Sequence, residues 1–149
     1  MTDGLPDALA SRLGYLLKHA QQLLVTAAGP ALLAFGIDGR ELTVLAVLGA
    51  GPPLSQQQAA EQLGVDRTTM VALVDGLEDK GLVARHRSPD DRRKNIVALT
   101  SAGRRCLTGA SAARDAAERD FLAPLGDAGA DQFVAALRTL VSAGHQRDR

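Results

Sequence analysis

The chain has 149 residues, of which 17 are basic, 17 acidic and 46% hydrophobic, with a formal net charge of zero. That length suits one globular unit with an ample core, and the balanced charge excludes indiscriminate binding to polyanions, so any charged surface must arise by segregation. The single cysteine, Cys106, excludes an intrachain disulfide and fits a reducing cytoplasm; no cleavable leader is visible from Met1 to Pro6, and no apolar run approaches the roughly 20 residues of a membrane-spanning helix.

From Leu5, the apolar residues Leu9, Leu13, Leu16, Leu17, Ala20, Leu23 and Leu24 recur at helical spacing, and Gly29-Pro30 is expected to end that helix. A second helix between Asp38 and Gly49 turns Leu42, Leu45 and Leu48 inward and stops before Gly51-Pro52-Pro53. Ser55 with Gln58 forms a capping box that opens a third, short helix, which Gly64 ends. Asp66 then N-caps a fourth helix with Met70, Leu73, Val74 and Leu77 in one stripe, and Gly81 stops it. The small Ala60 sits where two such helices cross, and Ala59, Leu63, Val65, Met70 and Leu73 fall at the internal contacts of a helix-turn-helix.

Two short aliphatic strands follow, Leu82 to Arg85 and Ile96 to Leu99. Between them, Pro89, Asp90 and Asp91 make the turn and Arg92, Arg93 and Lys94 stand on its far side. After Thr100 a long helix continues through Leu107, Ala110, Ala113, Ala117 and Phe121 to Pro124, and another, capped near Asp127, carries Phe133, Leu137, Leu140 and Val141. The fold class expected is mainly α with a minor α+β element: a winged helix-turn-helix with a two-stranded wing, at residues 38–100, flanked by dimerisation helices at 1–37 and 101–149.

Asp66, Arg67, Thr68 and Thr69 form an exposed first turn of hydrogen-bonding side chains. Asp66 is assigned to capping, whereas Arg67, Thr68 and Thr69 are expected to face base edges in the major groove, where an arginine can grip a guanine bidentately. The cationic hairpin, with Asp91, Arg92, Arg93 and Lys94, is placed to reach the flanking minor groove. Ser55, Gln56, Arg85 and Arg87 are expected at phosphates, while acids gather elsewhere, as at Asp115, Glu118 and Asp120.

At these residues the sequence resembles the MarR family of bacterial winged helix-turn-helix regulators. The most diagnostic piece is Asp91-Arg92-Arg93, separated by five residues from Leu99-Thr100 and then Gly103, similar to the family's D-x-R followed by L-T-x-x-G. The resemblance implies that Arg93 enters the minor groove and that Asp91 holds it extended. It also implies a homodimer joined through N- and C-terminal helices, which sets two reading helices about 34 Å apart on double-stranded DNA. Many members carry a threonine-arginine pair at the positions of Val71 and Ala72 and a basic residue at that of Gly76. Their absence here puts more of the base reading on Arg67, Thr68 and Thr69. Family members commonly take small phenolic effectors between dimer base and reading head, and Tyr15, His19, Phe35 and Arg40 are the lining expected of such a pocket.

Rival chemistries lack parts. There is no nucleophile elbow, no phosphate-cradling glycine loop with lysine, no dinucleotide fingerprint and no zinc-helix motif, so no enzyme and no cofactor are expected. His19, His86 and His145 are isolated in sequence, which excludes the usual metal spacings, and Cys106 is read as a small core hydrophobe rather than a redox switch. The expected function is a cytoplasmic, ligand-responsive repressor that binds DNA and has no membrane partner. The alternative is a winged helix that binds a protein partner without touching DNA.

Overall fold

The computed structural model describes Pro6 and residues 8–147. Leu5, where the first apolar repeat begins, lies outside the described residues. Six α-helices and three short strands follow in order: α1 (Leu13–Leu33), α2 (Gly39–Gly49), β1 (Leu54–Ser55), α3 (Gln56–Leu63), α4 (Arg67–Asp79), β2 (Val83–Arg87), β3 (Asn95–Leu99), α5 (Ser101–Leu122) and, after a 3-10 turn at Ala123–Leu125, α6 (Gly126–Arg147).

Gly29-Pro30 does not break α1, contrary to expectation; Pro30 lies inside it. An interior proline gives up its bond to residue i−4 and crowds that carbonyl; Gly29 relieves one part of the cost, the clash with the Cβ of the preceding residue. Burial of Ala28 and Leu32 holds the last turns in place. The stop comes instead at Gly36, whose φ of 71° lets the chain reverse and brings the Ile37 N–H back to the Leu32 carbonyl.

The caps are local and made as their sequences require. Asp38 and Glu41 form a capping box on α2, and Ser55 and Gln58 form one on α3. Gly64, at φ 64°, ends α3. Asp66 then accepts the Thr69 N–H at 2.8 Å through Oδ1 and the Thr69 hydroxyl at 2.7 Å through Oδ2. These bonds hold the Asp66 carboxyl below its ordinary value of 3.8.

The core joins α2, α4, α5 and the sheet. Leu42, Leu45, Met70, Val74, Leu77, Val83 and Val97 are all at most 2% exposed. The wing is the two-stranded hairpin expected, β2 with β3, and a third strand joins its sheet in the order β1-β3-β2: Leu54 and Ser55 pair antiparallel with Val97 and Ile96. Two residues ahead of a helix cap carry no recognisable strand pattern, and the pairing exists because Leu54 packs against the core beside β3. Cys106 is buried, its thiol pushed up by that burial, as a packing residue. None of the described helices is long and apolar enough to cross a membrane.

Thr100 has a structural use that its motif position conceals. Its hydroxyl accepts the Gly103 N–H and donates to the Gly81 carbonyl, while its own N–H donates to the Leu82 carbonyl. The start of α5 is thereby fastened to the turn that follows α4. Gly103 is obligatory in this arrangement, since a Cβ there would lie 1.9 Å from the Leu82 carbonyl oxygen.

Two outcomes follow. Gly103→Ala should destabilise the fold by about 1–3 kcal/mol through overpacking, although alanine is the better helix former by about 1 kcal/mol; a lower urea midpoint is the readout. For Asp66, whose carboxyl is depressed in the folded state, the stability due to its charge is present above the unfolded value and lost as pH falls through the folded one. Asn retains the cap without the charge. Urea midpoints of wild type and Asp66→Asn should therefore differ above about pH 4 and converge on acidification below it.

Candidate nucleic-acid interface

Two exposed groups of cations and donors project from the winged unit. At the start of α4, Arg67 and Thr68 are exposed and make no side-chain hydrogen bond or ion pair among the described residues. Thr69 is half-buried, with its hydroxyl given to Asp66. The first turn thus offers two free side chains, where three were expected. Val71 and Gly76 are half-buried and Ala72 is exposed, so the middle of the helix presents no polar reach.

At the tip of the wing, Ser88 N–H donates to the Lys94 carbonyl and Lys94 N–H to the Asp91 carbonyl, closing residues 88–94 into a compact turn. Asp91 Oδ1 accepts the backbone N–H of Arg93 at 3.0 Å. Asp91 therefore acts on Arg93 through its backbone. Arg87, Arg92, Arg93 and Lys94 are exposed and outside every ion pair among the described residues.

Arg85 is not free for phosphate, and that expectation is corrected. The period of two along β2 puts it on the face of Val83, opposite the fully buried Val97, so it points back at the helices. Its Nη2 donates to Asp75 at 2.5 Å, Nη1 to Glu78 at 2.9 Å and Nε to Gln56 Oε1 at 2.7 Å, while its backbone N–H donates to Glu78 Oε2 at 3.2 Å. Burial opposes its charge, but Asp75 and Glu78 more than compensate and hold the guanidinium above its ordinary value. Gln56 is committed to Arg85 through its oxygen, and the Ser55 hydroxyl oxygen accepts the Gln58 N–H of its capping box, which leaves the Ser55 O–H, the Gln56 amide NH2 and the Gln56 and Gln57 backbone N–H groups of that corner as donors for an outside anion.

Sequence reading missed Asp75, Glu78 and a further pair beneath α4: Glu41, 8% exposed, accepts Lys80 Nζ at 2.6 Å while also bonding the Asp38 N–H. The i, i+3 spacing of Asp75 and Glu78 was a usable signal, because it sets both carboxylates on one side of α4. Glu41 and Lys80 lie 39 residues apart and give no local sign of each other.

The four residues expected to line an effector pocket are not brought together within the chain. Tyr15 and His19 stack on α1 with ring centroids 5.2 Å apart. Phe35 lies past the other end of that helix, about 25–30 Å from them at 1.5 Å per residue, with its ring over Gly109 on α5. Arg40 alone lines a cavity of about 470 Å³, with Thr43, Leu63, Val65, Thr69 and Leu73, beside the first turn of α4. A second opening of about 570 Å³ between α1 and α5, lined by Ala27, Pro30, Ala31, Ala113, Ala117 and Phe121 among others, holds none of the four. Among the described residues no cluster of three or more His, Cys, Asp or Glu could hold a metal.

Residues 35–94, from the end of α1 through the wing tip, match the family model of the MarR family. The chain is 36% identical over 97 residues to a putative transcriptional regulatory protein for the hcr operon of Thauera aromatica, covering 65% of this chain and 58% of that one. It thus spans a little over half the length of that relative. A MarR-family transcriptional regulator from Rhodococcus sp. RHA1 is 31% identical, with a TM-score of 0.81 over 91% of this chain and 96% of its own. The transcriptional repressor CouR, solved on a 23-mer DNA duplex, is 33% identical, with a TM-score of 0.84 over 91% of this chain and 96% of its own. CouR from Rhodococcus jostii RHA1, bound to p-coumaroyl-CoA, gives 32% identity and a TM-score of 0.78 over 91% and 95%. The likeness runs through the winged unit and the flanking helices alike, and this chain belongs to the MarR family of transcriptional regulators.

Proposed function

We propose that the protein is a cytoplasmic, homodimeric regulator and not an enzyme, which occupies a near-palindromic operator as a repressor and leaves it when a small aromatic effector binds. The observation that carries this reading is the joint exposure of the first turn of α4 and the wing tip. Arg67, Thr68, Arg87, Arg92, Arg93 and Lys94 are exposed and unpaired among the described residues, in a chain of zero net charge. CouR on its DNA duplex supports the same use of the fold.

Arg67 and Thr68, with Thr69 limited by its bond to Asp66, read the major groove. Arg93 anchors in the minor groove, with Asp91 ordering the turn beneath it, and Arg87, Arg92 and Lys94 meet phosphates. The winged unit, 38–100, is carried by the helical segments 1–37 and 101–149. Pairing through those segments is supported by α6, a helix of 22 residues that buries none of them and exposes Leu140 and Val141 by 62% and 58%. Leu13, Leu23, Val25 and Leu33 on α1 are likewise bare. Stripes of that extent need a cover. The p-coumaroyl-CoA complex of CouR supports an aromatic acyl compound as the class of effector. Since Tyr15, His19, Phe35 and Arg40 do not converge in one chain, a pocket that uses Tyr15 and His19 draws its other wall from the second subunit.

Three outcomes test the reading. Wild-type affinity for DNA selected from a randomised library should fall steeply with salt, with a slope of about −0.9 per phosphate neutralised; a salt-indifferent interaction would favour a protein-binding platform instead. Arg93→Ala should weaken binding across all sequences, whereas Arg67→Ala should relax preference at one base position, by roughly 1–3 kcal/mol. Identical selection profiles for those two variants would sink the assignment of grooves. Isothermal titration of phenolic acids and their CoA thioesters should give binding to wild type that is weakened in a Tyr15→Phe, His19→Ala double variant; equal binding by both removes this pocket.

A further inference from the structure

We infer that Arg85 is a positioning residue that locks the wing to the reading helix, so that the major-groove and minor-groove contacts are made by one rigid body. This rests on the DNA-binding reading above. The wing is a lever on a narrow base. Beyond the Arg85–Val97 pair only His86–Ile96 and Arg87–Asn95 continue the ladder before the turn 88–94, and β1 supports β3 alone, through Leu54 and Ser55. An isolated two-stranded ribbon is marginal in water. The cationic turn begins about 10 Å from Arg85, at about 3.3 Å per residue, so a small tilt at the base moves Arg93 by more than a hydrogen bond tolerates.

Arg85 stands at that base and ties three elements together. Its guanidinium bridges Asp75 and Glu78 of α4 and Gln56 of α3, and its backbone N–H donates to the same Glu78. The last bond occupies the outer edge of β2, the strand at the margin of the sheet. A planar fork with donors in fixed directions is the side chain able to hold three acceptors at once; an ammonium concentrates its charge at one point. The same contacts withhold two carboxylates of α4 from approaching phosphates. Arg85 is thus a cation in the binding head whose charge is spent inside the protein.

The test is a double-mutant cycle of Arg67→Ala and Arg93→Ala on DNA affinity, run in wild type and in Arg85→Gln. With the two contacts on one body, each orients the other, so in wild type the paired loss should be smaller than the product of the single losses by about threefold or more. In Arg85→Gln the losses should multiply to within about twofold, with Arg85→Lys between the two. Equal coupling in both backgrounds, no coupling in wild type, or a salt slope reduced by one phosphate in Arg85→Gln would each overturn the proposal. Glu78→Gln and Asp75→Asn remove partners from the helix side, and should lower the coupling in the same way even if Arg85→Gln folds poorly. Amide hydrogen exchange separates the lock from the function: residues 86–96 should lose protection in Arg85→Gln and Glu78→Gln while α2 and α5 keep theirs. Should wild type show no salt-dependent DNA binding, the functional reading fails, and the lock stands or falls on that exchange, with unchanged protection refuting it.

Discussion

Everything exposed on this molecule depends on one buried contact, the seating of α4 through Met70, Val74 and Leu77 on α2 and the sheet. Each of these side chains is at most 1% exposed, and burial of each is worth about 1.5–3 kcal/mol. A helix of 13 residues would not persist alone in water. Seated by that stripe, it has no freedom to rotate, and its polar first turn is left facing outward. Val83 and Val97 close the same core from the sheet, so the wing leaves the molecule from the surface that holds the helix.

Around this core the polar contacts place rather than stabilise. Glu41 is set against both the start of α2 and Lys80 at the end of α4, and Thr100 fastens α5 to the turn that follows it. A partly exposed pair contributes little net stability once desolvation and solvent screening are counted. Its use is geometric: both ends of the reading helix are fixed, by the Asp66 cap at one and by Lys80 and Thr100 at the other. The helical segments outside the winged unit show the opposite economy, since α6 buries nothing and α1 leaves a row of leucines bare. A protein that holds its winged unit tightly and leaves its flanks uncovered is organised for association through those flanks.

What could be read directly from the chain was local. Ser55 with Gln58, Gly64, and Asp66 with Thr69 each act within four residues, so their caps and turns followed from residue type and spacing. The helix-turn-helix was legible for that reason, as were the exposed Arg67 and Thr68 and the cationic turn at 88–94. The helix continues past Pro30 because Gly29 relieves part of the proline clash and because Leu32 buries beyond it, a tertiary gain that spacing does not show. The grouping of Tyr15, His19, Phe35 and Arg40 failed on distance, which a one-dimensional reading cannot supply.

By itself, then, the sequence determined the helices of the winged unit, their caps, and which charges stand at the two projecting turns, because these are set by backbone bonding within a turn or two; α1 begins only at Leu13, after a turn that contains Leu9, and runs on past Pro30. Tertiary structure alone decided what each charge is for. Arg85 and Arg87 lie two residues apart on the same face of one strand, yet one meets Asp75, Glu78 and Gln56 and the other is exposed and unpaired among the described residues. The difference is that acceptors of α4 and α3 lie within reach of the first, whereas none among the described residues bonds the second, which only the packing of the helices against the sheet could fix.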